Sequence, residues 1–448
     1  MDRQPTFQQS LIILGAVFAL ILPAMFIWKA EPHIPLLLAV VISATLLRWS
    51  GINWKKMEEG IVGGIQSAVV PMMILSLIGI LIGVWMMSGT VPTILAYGID
   101  LLSPNHFALS TLLLTIVVSS LTGSSFTTVS TVGVALTGIA AAMGLDPLIT
   151  AGAVICGACF GDKMSPLSDT TNFASAVAGA DLTAHVRYMT RTTLPALGIT
   201  LLFFGWKDSS PAADLAAIAA VKEELSAHFT LHWVTLLSPL TVLYCSLKRK
   251  PLLPTLTLGI LTGLLTAVFI QQETSPARWL QVMQHGFDES FVNQTVASIV
   301  NRGGLQSMTW SLSLILIALA LGGLLQHCGV FHSLFYTLLR SIKSNGQVVR
   351  LAGSSSILVN ALTGEQYLSI LLPGQMFREE FERRGMANKL LSRTLEDCGT
   401  LVNPLVPWGV SGAFFASTLQ VPAAGYIPYA IFLWLSPLLT FAYSYRRK

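Results

Sequence analysis

Apolar residues run through most of this chain in stretches of fourteen or more, parted by short polar turns. Ten such stretches predict membrane-crossing helices, at 11–28, 34–47, 68–87, 147–179, 192–206, 231–247, 252–270, 308–326, 391–419 and 428–445, because about 20 apolar residues span the hydrocarbon layer. Two further apolar segments, 107–143 and 351–377, are interrupted by Thr122-Gly123-Ser124-Ser125 and Thr363-Gly364-Glu365-Gln366. Each predicts a re-entrant hairpin that turns at membrane depth and returns to its starting side. Such irregular backbone persists only when buried in protein or lining a watery cavity.

Two of the long stretches carry polar residues in their interior. The first reads Gly161-Asp162-Lys163-Met164-Ser165-Pro166-Leu167-Ser168-Asp169-Thr170-Thr171-Asn172, the second Glu396-Asp397-Cys398-Gly399-Thr400-Leu401-Val402-Asn403-Pro404-Leu405-Val406-Pro407. Proline removes an N–H and breaks the helix, which frees backbone carbonyls. Those carbonyls, hydroxyls and a carboxylate make a hard-oxygen set suited to Na⁺. An ionised group at bilayer depth costs at least ~2.5 kcal/mol, so its presence there marks an ion or proton pathway. A secondary transporter of cations is therefore the expectation, and no enzyme is expected, since no nucleophile-base pair or HExxH occurs.

With 53% hydrophobic and only 11% charged residues among 448, the composition excludes a soluble protein of this size. Net charge is +4, and the placement of Lys and Arg decides orientation. With the N-terminus cytoplasmic, the basic loops holding Arg48, Lys55 and Lys56, then Arg187 and Arg191, Lys248-Arg249-Lys250, Arg340, Lys343 and Arg350, and the tail Arg446-Arg447-Lys448 all fall inside. Counting either Thr-Gly segment as a crossing would invert that pattern. The five cysteines sit in apolar segments without metal spacing and read as packing residues.

The order of features repeats. Gly89 stands 34 residues before Gly123 and Gly329 stands 35 before Gly364; Trp54 and Trp279 each open a short amphipathic stretch. An odd number of crossings per half makes the second repeat inverted, the architecture of secondary transporters. The expected fold class is thus an all-α polytopic membrane protein of about ten transmembrane helices in two inverted repeats, each with a re-entrant hairpin and a broken helix. Residues 1–206 form the first repeat, 207–230 an external linker and 231–448 the second repeat.

Asp162 and Asp169 are the expected carriers of cation and proton, with Ser165, Ser168, Thr171 and Asn172 as further ligands. Asp162 and Asp169 would share a face were the helix unbroken. Ser124, Ser125, Thr127, Thr363, Glu365, Glu396, Asp397, Thr400 and Asn403 are expected to line the substrate path, with Lys163 as a counter-charge. Simpler roles compete with these. Asp162 can pair with Lys163 or with the second motif. The hydroxyls near Ser124 can bond back to helix carbonyls, and Glu396 and Asp397 can end a helix near the inner surface.

The first motif, followed by Ala178-Gly179 and His185, resembles the signature of the NhaC-type sodium/proton antiporter family. Glu396-Asp397-Cys398-Gly399-Thr400 with Pro404-Leu405, Pro407-Trp408 and Gly412-Ala413-Phe414 is similar to that family's second motif. The resemblance implies Na⁺/H⁺ antiport at the cytoplasmic (inner) membrane of a prokaryote, with both termini cytoplasmic. It implies Na⁺ and H⁺ as transported ions, no cofactor, no nucleic-acid partner, a lipid bilayer as surroundings and compatibility with a homodimer. The family also holds exchangers of organic acids or amino acids, so a Na⁺- or H⁺-coupled exchanger or symporter of a small organic anion or amino acid is the alternative.

Overall fold

The computed structural model describes residues 4–102, 104–207 and 215–445, and every regular element among them is helical. The basic tail at 446–448 lies outside the described residues. The first half runs α1 (Phe7–Phe26), α2 (His33–Trp49), α3 (Trp54–Met87), α4 (Thr90–Leu101) and α5 (Phe107–Thr122). It continues with the short α6 (Ser125–Thr128), a π-helical turn (Val129–Gly133), α7 (Val134–Ala142), α8 (Pro147–Met164), α9 (Asp169–Ala178) and α10 (Leu182–Lys207). After α11 (Leu215–His228), in the expected linker, come α12 (Leu237–Leu247), α13 (Leu252–Ile270), α14 (Pro276–His285), α15 (Gln294–Val300), α16 (Thr309–His327) and α17 (Val330–Arg340). The chain closes with α18 (Asn345–Thr363), α19 (Gln366–Arg383), α20 (Asn388–Leu395), α21 (Val410–Leu419), α22 (Ala423–Tyr426) and α23 (Ile431–Tyr445). A second π-helical turn, Glu396–Thr400, follows α20 directly. The protein is a polytopic, all-helical membrane protein.

Five helical segments are long and apolar enough to cross a membrane, and three bent pairs raise the total to eight among the described residues. That is below the ten expected. The helices α2, α5 and α21 are apolar but shorter than a full span. A second departure lies in α3. The stretch opened by Trp54 is not a separate amphipathic element but the start of one 34-residue helix, begun by the Asn53 side chain accepting from Lys55 N–H. Its counterpart opened by Trp279 does stand alone, as α14, begun by the Ser275 hydroxyl.

Both Thr-Gly segments are sharp turns between helices. Gly123 (φ 68°) ends α5 and Gly364 (φ 67°) ends α18. Both are left-handed, a conformation that costs glycine least because it has no Cβ. The next residue but one starts the following helix, capped by Ser124 in the first case and by Glu365 in the second. α18 then packs against α19, while α5 packs along α8 and α3 along α16. The α5–α8 approach needs glycine: a Cβ at Gly157 would lie 2.1 Å from Thr115 Oγ1 and 2.5 Å from the Leu112 carbonyl. This contact seats the first motif against the first turn segment. The five cysteines are free and buried, as packing residues should be.

Candidate functional site

A cavity of about 720 Å³ opens where the two turn segments, the end of α8, the start of α9, the middle of α3 and the start of α13 meet. Three carboxylates line it: Asp162, Asp169 and Glu365. None of its described lining residues is Lys, Arg or His. Asp162 is buried at the cavity wall, where its Oδ2 accepts from Ser125 N–H (3.1 Å) and Ser125 Oγ–H (2.7 Å). The first turn segment thus supplies two donors to the first motif. Asp169, the first residue of α9, is exposed and lines the cavity. Glu365 caps α19 through Leu368 N–H (2.7 Å), leaving its other oxygen free of that bond. Ser124 lines the wall as well and accepts from Thr127 N–H (3.2 Å) and Thr127 Oγ–H (3.1 Å).

The helix break between α8 and α9 bends the chain by 48° and is braced by its own side chains. Ser165 Oγ–H donates to the Ser120 carbonyl (2.9 Å), Thr171 Oγ–H to the Lys163 carbonyl (3.0 Å), and Asn172 Nδ2 to the Pro166 and Ser168 carbonyls (2.9 and 2.7 Å). Ser168 caps α9 by accepting from Thr171 N–H. Carbonyls released by the break are therefore taken up locally, which fixes where Asp162 and Asp169 stand.

The second motif is built differently. Lys163 and Asp397 are both fully buried and form an ion pair across the two halves of the chain. Asp397 Oδ2 also accepts from Thr192 (2.9 Å) and Thr440 (2.5 Å), and Arg393 Nε lies 3.8 Å away. Three further bonds tie Asn403 in: its Nδ2 donates to Asn360 Oδ1 (2.7 Å) and the Gly364 carbonyl (2.9 Å), and its Oδ1 accepts from Ser411 N–H (2.7 Å). A buried charge requires such pairing, since removing one partner strands the other.

Comparison with known proteins identifies the family. Residues 6–206 and 157–446 match the sequence profile of the Na+/H+ antiporter family. A protein of Alkalihalophilus pseudofirmus described as Na(+)/H(+) antiporter NhaC is 51% identical over 446 residues, 99% of this chain and 96% of that protein. The Na(+)/H(+) antiporter NhaC of Bacillus subtilis is 46% identical with full coverage of both chains. An arginine/ornithine antiporter, ArcD, of Halobacterium salinarum is 31% identical over 98% of this chain and 91% of its own.

The chain belongs to the Na+/H+ antiporter family.

Of the residues expected in this antiporter-family site, the structure brings Asp162, Asp169, Ser124 and Glu365 to one cavity. Ser165, Ser168, Thr171 and Asn172 sit in the break beside it. Ser125 touches Asp162 from behind the wall, and Thr127 is committed to the Ser124 cap. Thr363 is buried under the second turn, where its Oγ1 accepts from Glu365 N–H (3.2 Å). Glu396, Asp397, Thr400 and Asn403, expected along the substrate path, are buried outside the cavity, and Lys163 is paired with Asp397.

Other lining residues carried little signal in the sequence. Thr170, Gln366 and Tyr367 flank expected residues, but their side-chain directions depend on where each helix starts. Pro71 lies inside α3, and Pro251 and Pro254 open α13 just after Lys248-Arg249-Lys250. A proline within an apolar run was the available clue to Pro71.

Proposed function

We propose that this protein is a secondary Na⁺/H⁺ antiporter that exchanges the two ions by alternating access, with Asp162 and Asp169 as intramembrane carriers. The observation that carries the reading is the cavity itself: three carboxylates and no basic residue among its described lining. Such a lining attracts a monovalent cation and repels an anion. Asp162 holds Na⁺ or a proton at the end of the cavity, oriented by Ser125. Asp169 at the more open position gathers the incoming ion, with Ser124, Thr170 and Glu365 around it. Competition of Na⁺ and H⁺ for one carboxylate, met alternately from the two sides of the membrane, is sufficient for antiport.

The matching element order of the two halves supports two inverted repeats, 1–206 and 231–448, joined by an external linker at 207–230. The basic loops favour both termini in the cytoplasm, and the family resemblance favours the inner membrane of a prokaryote. In that orientation the cavity, bordered by Pro251 and Pro254 beside the basic turn, opens inward. A small carboxylate or amino-acid substrate finds no cationic side chain among the described lining residues for its carboxyl group, which favours the ions alone. The test is ²²Na⁺ uptake into proteoliposomes against an imposed pH gradient, repeated with malate, lactate, arginine and ornithine. Uptake driven by the gradient and indifferent to the organic compounds is expected. Uptake that requires one of them would replace ion exchange with coupled exchange.

A further inference from the structure

Glu396 is fully buried and outside the cavity, yet it has no basic partner among the described residues. Lys163 and Arg393 are both directed at Asp397. Its Oε1 accepts one bond, from Thr170 Oγ–H at 3.3 Å, and its Oε2 accepts none. Thr400 Oγ1, on the next turn of the same π segment, neighbours the Glu396 carboxylate but makes no fully formed hydrogen bond to it. A carboxylate left so is unfavourable unless it takes up a proton or a cation. The π-helical turn that displays it is a local distortion of the kind found at functional sites.

The path to Glu396 is made of hydroxyls. Thr170 lines the cavity and donates to Glu396; Ser168 Oγ lies 3.1 Å from Thr170 Oγ1 and also neighbours the Asp162 carboxylate. Charged and titratable groups around Glu396 are Asp162 and Lys163 on α8, Asp169 on α9, His185 on α10, Tyr367 on α19, and Arg393 and Asp397 beside it in the chain. Asp162 and Asp169 can receive a proton from cavity water. Lys163 is paired with Asp397, Arg393 Nε lies 3.8 Å from the same carboxylate, and His185 Nδ1 is bonded to Ser392 Oγ (2.6 Å).

We infer that Glu396 is a second proton-carrying site, loaded from the cavity through Ser168 and Thr170. A proton taken from Asp162 or cavity water enters the Ser168 hydroxyl, whose own proton passes to Thr170. The Thr170 proton moves to Glu396 Oε1, so each hydroxyl regains what it gave and the carboxylate becomes a carboxyl. Release runs the same steps backwards. This rests on the antiport reading above and adds one proton to each cycle beyond the one exchanged at Asp162.

The test is the H⁺:Na⁺ ratio, measured in proteoliposomes as the membrane potential and pH gradient that just halt Na⁺ flux. In Glu396→Gln the ratio falls by one proton while exchange persists; Thr170→Val slows exchange severalfold and Thr170→Ser restores it. An unchanged ratio in Glu396→Gln overturns the inference, while absence of Na⁺/H⁺ exchange in the unaltered protein overturns the antiport reading instead. Should Glu396→Gln fail to fold, the unaltered protein decides. Dicyclohexylcarbodiimide, which adds to protonated carboxyls in apolar surroundings, should then modify Glu396, mapped by peptide mass, at acidic but not alkaline pH. No modification of Glu396 at any pH overturns the inference.

Discussion

Of the two polar motifs, one in each half of the chain, the first opens to a cavity and the second is closed by pairing. In the first, the break between α8 and α9 sets Asp162 and Asp169 along the cavity wall. In the second, Asp397 is fixed by Lys163, Thr192 and Thr440, and Asn403 by Asn360, Gly364 and Ser411. Similar residue types therefore do different work according to how many partners reach them. The contrast is one of charge: Asp162 is held by neutral serine donors alone, which leaves its negative charge uncompensated, whereas Asp397 faces a buried ammonium and two hydroxyls that fasten it.

The largest effect should come from cutting that fastener. Lys163→Met leaves Asp397 buried without its ammonium, and Arg393 at 3.8 Å is too far for a full replacement. The expected loss is about 3–5 kcal/mol, seen as a steep drop in melting temperature of the detergent-solubilised protein. Combining it with Asp397→Leu should recover part of the loss. A single variant as stable as the parent would mean that the second motif is not held by this pair.

Asn403→Ala should cost less, about 1–3 kcal/mol. It leaves Asn360 Oδ1 and Ser411 N–H short of partners beneath the second turn segment, while the Gly364 carbonyl keeps its bond from Val410 N–H. Thermal melting measures the loss, and Na⁺-dependent exchange per folded molecule should stay within a fewfold of the parent. Loss of exchange without loss of stability would move Asn403 from the scaffold to the ion path. The smallest effect belongs to the first turn segment. Ser124→Ala removes the α6 cap at about 1 kcal/mol, and, because Ser124 also lines the cavity, the half-saturating Na⁺ concentration should rise severalfold in transport assays.

Much of this contrast was legible in the sequence. The Thr-Gly pairs located both turns because only glycine enters the left-handed region cheaply, and Pro166 and Pro404 located the breaks. Asp162, Asp169, Ser124 and Glu365 stood out because a charge or hydroxyl in an apolar run demands a reason. What did not show was which motif would face water. Asp397 and Asp162 look alike as residues; their fates differ because Lys163, one position after Asp162, projects away from the cavity toward the other half of the chain. That pairing spans 234 residues of sequence and links α8 to the second π-helical turn through the two side chains themselves. The merger of the Trp54 stretch into α3 was hidden for a related reason, since no residue between Trp54 and Met87 stops a helix except Pro71, which α3 absorbs.

The division between an exchanging motif and a fastening one rests on Asp162. Asp162→Asn keeps the shape and can still bond to Ser125, but it can no longer release a proton or carry a full negative charge. The decisive measurement is Na⁺-dependent proton movement by this variant in everted vesicles, at matched expression and with its melting temperature recorded alongside. A folded variant with no Na⁺-dependent proton movement is the expected result, and normal exchange by Asp162→Asn would contradict the assignment of the cavity carboxylate as the carrier.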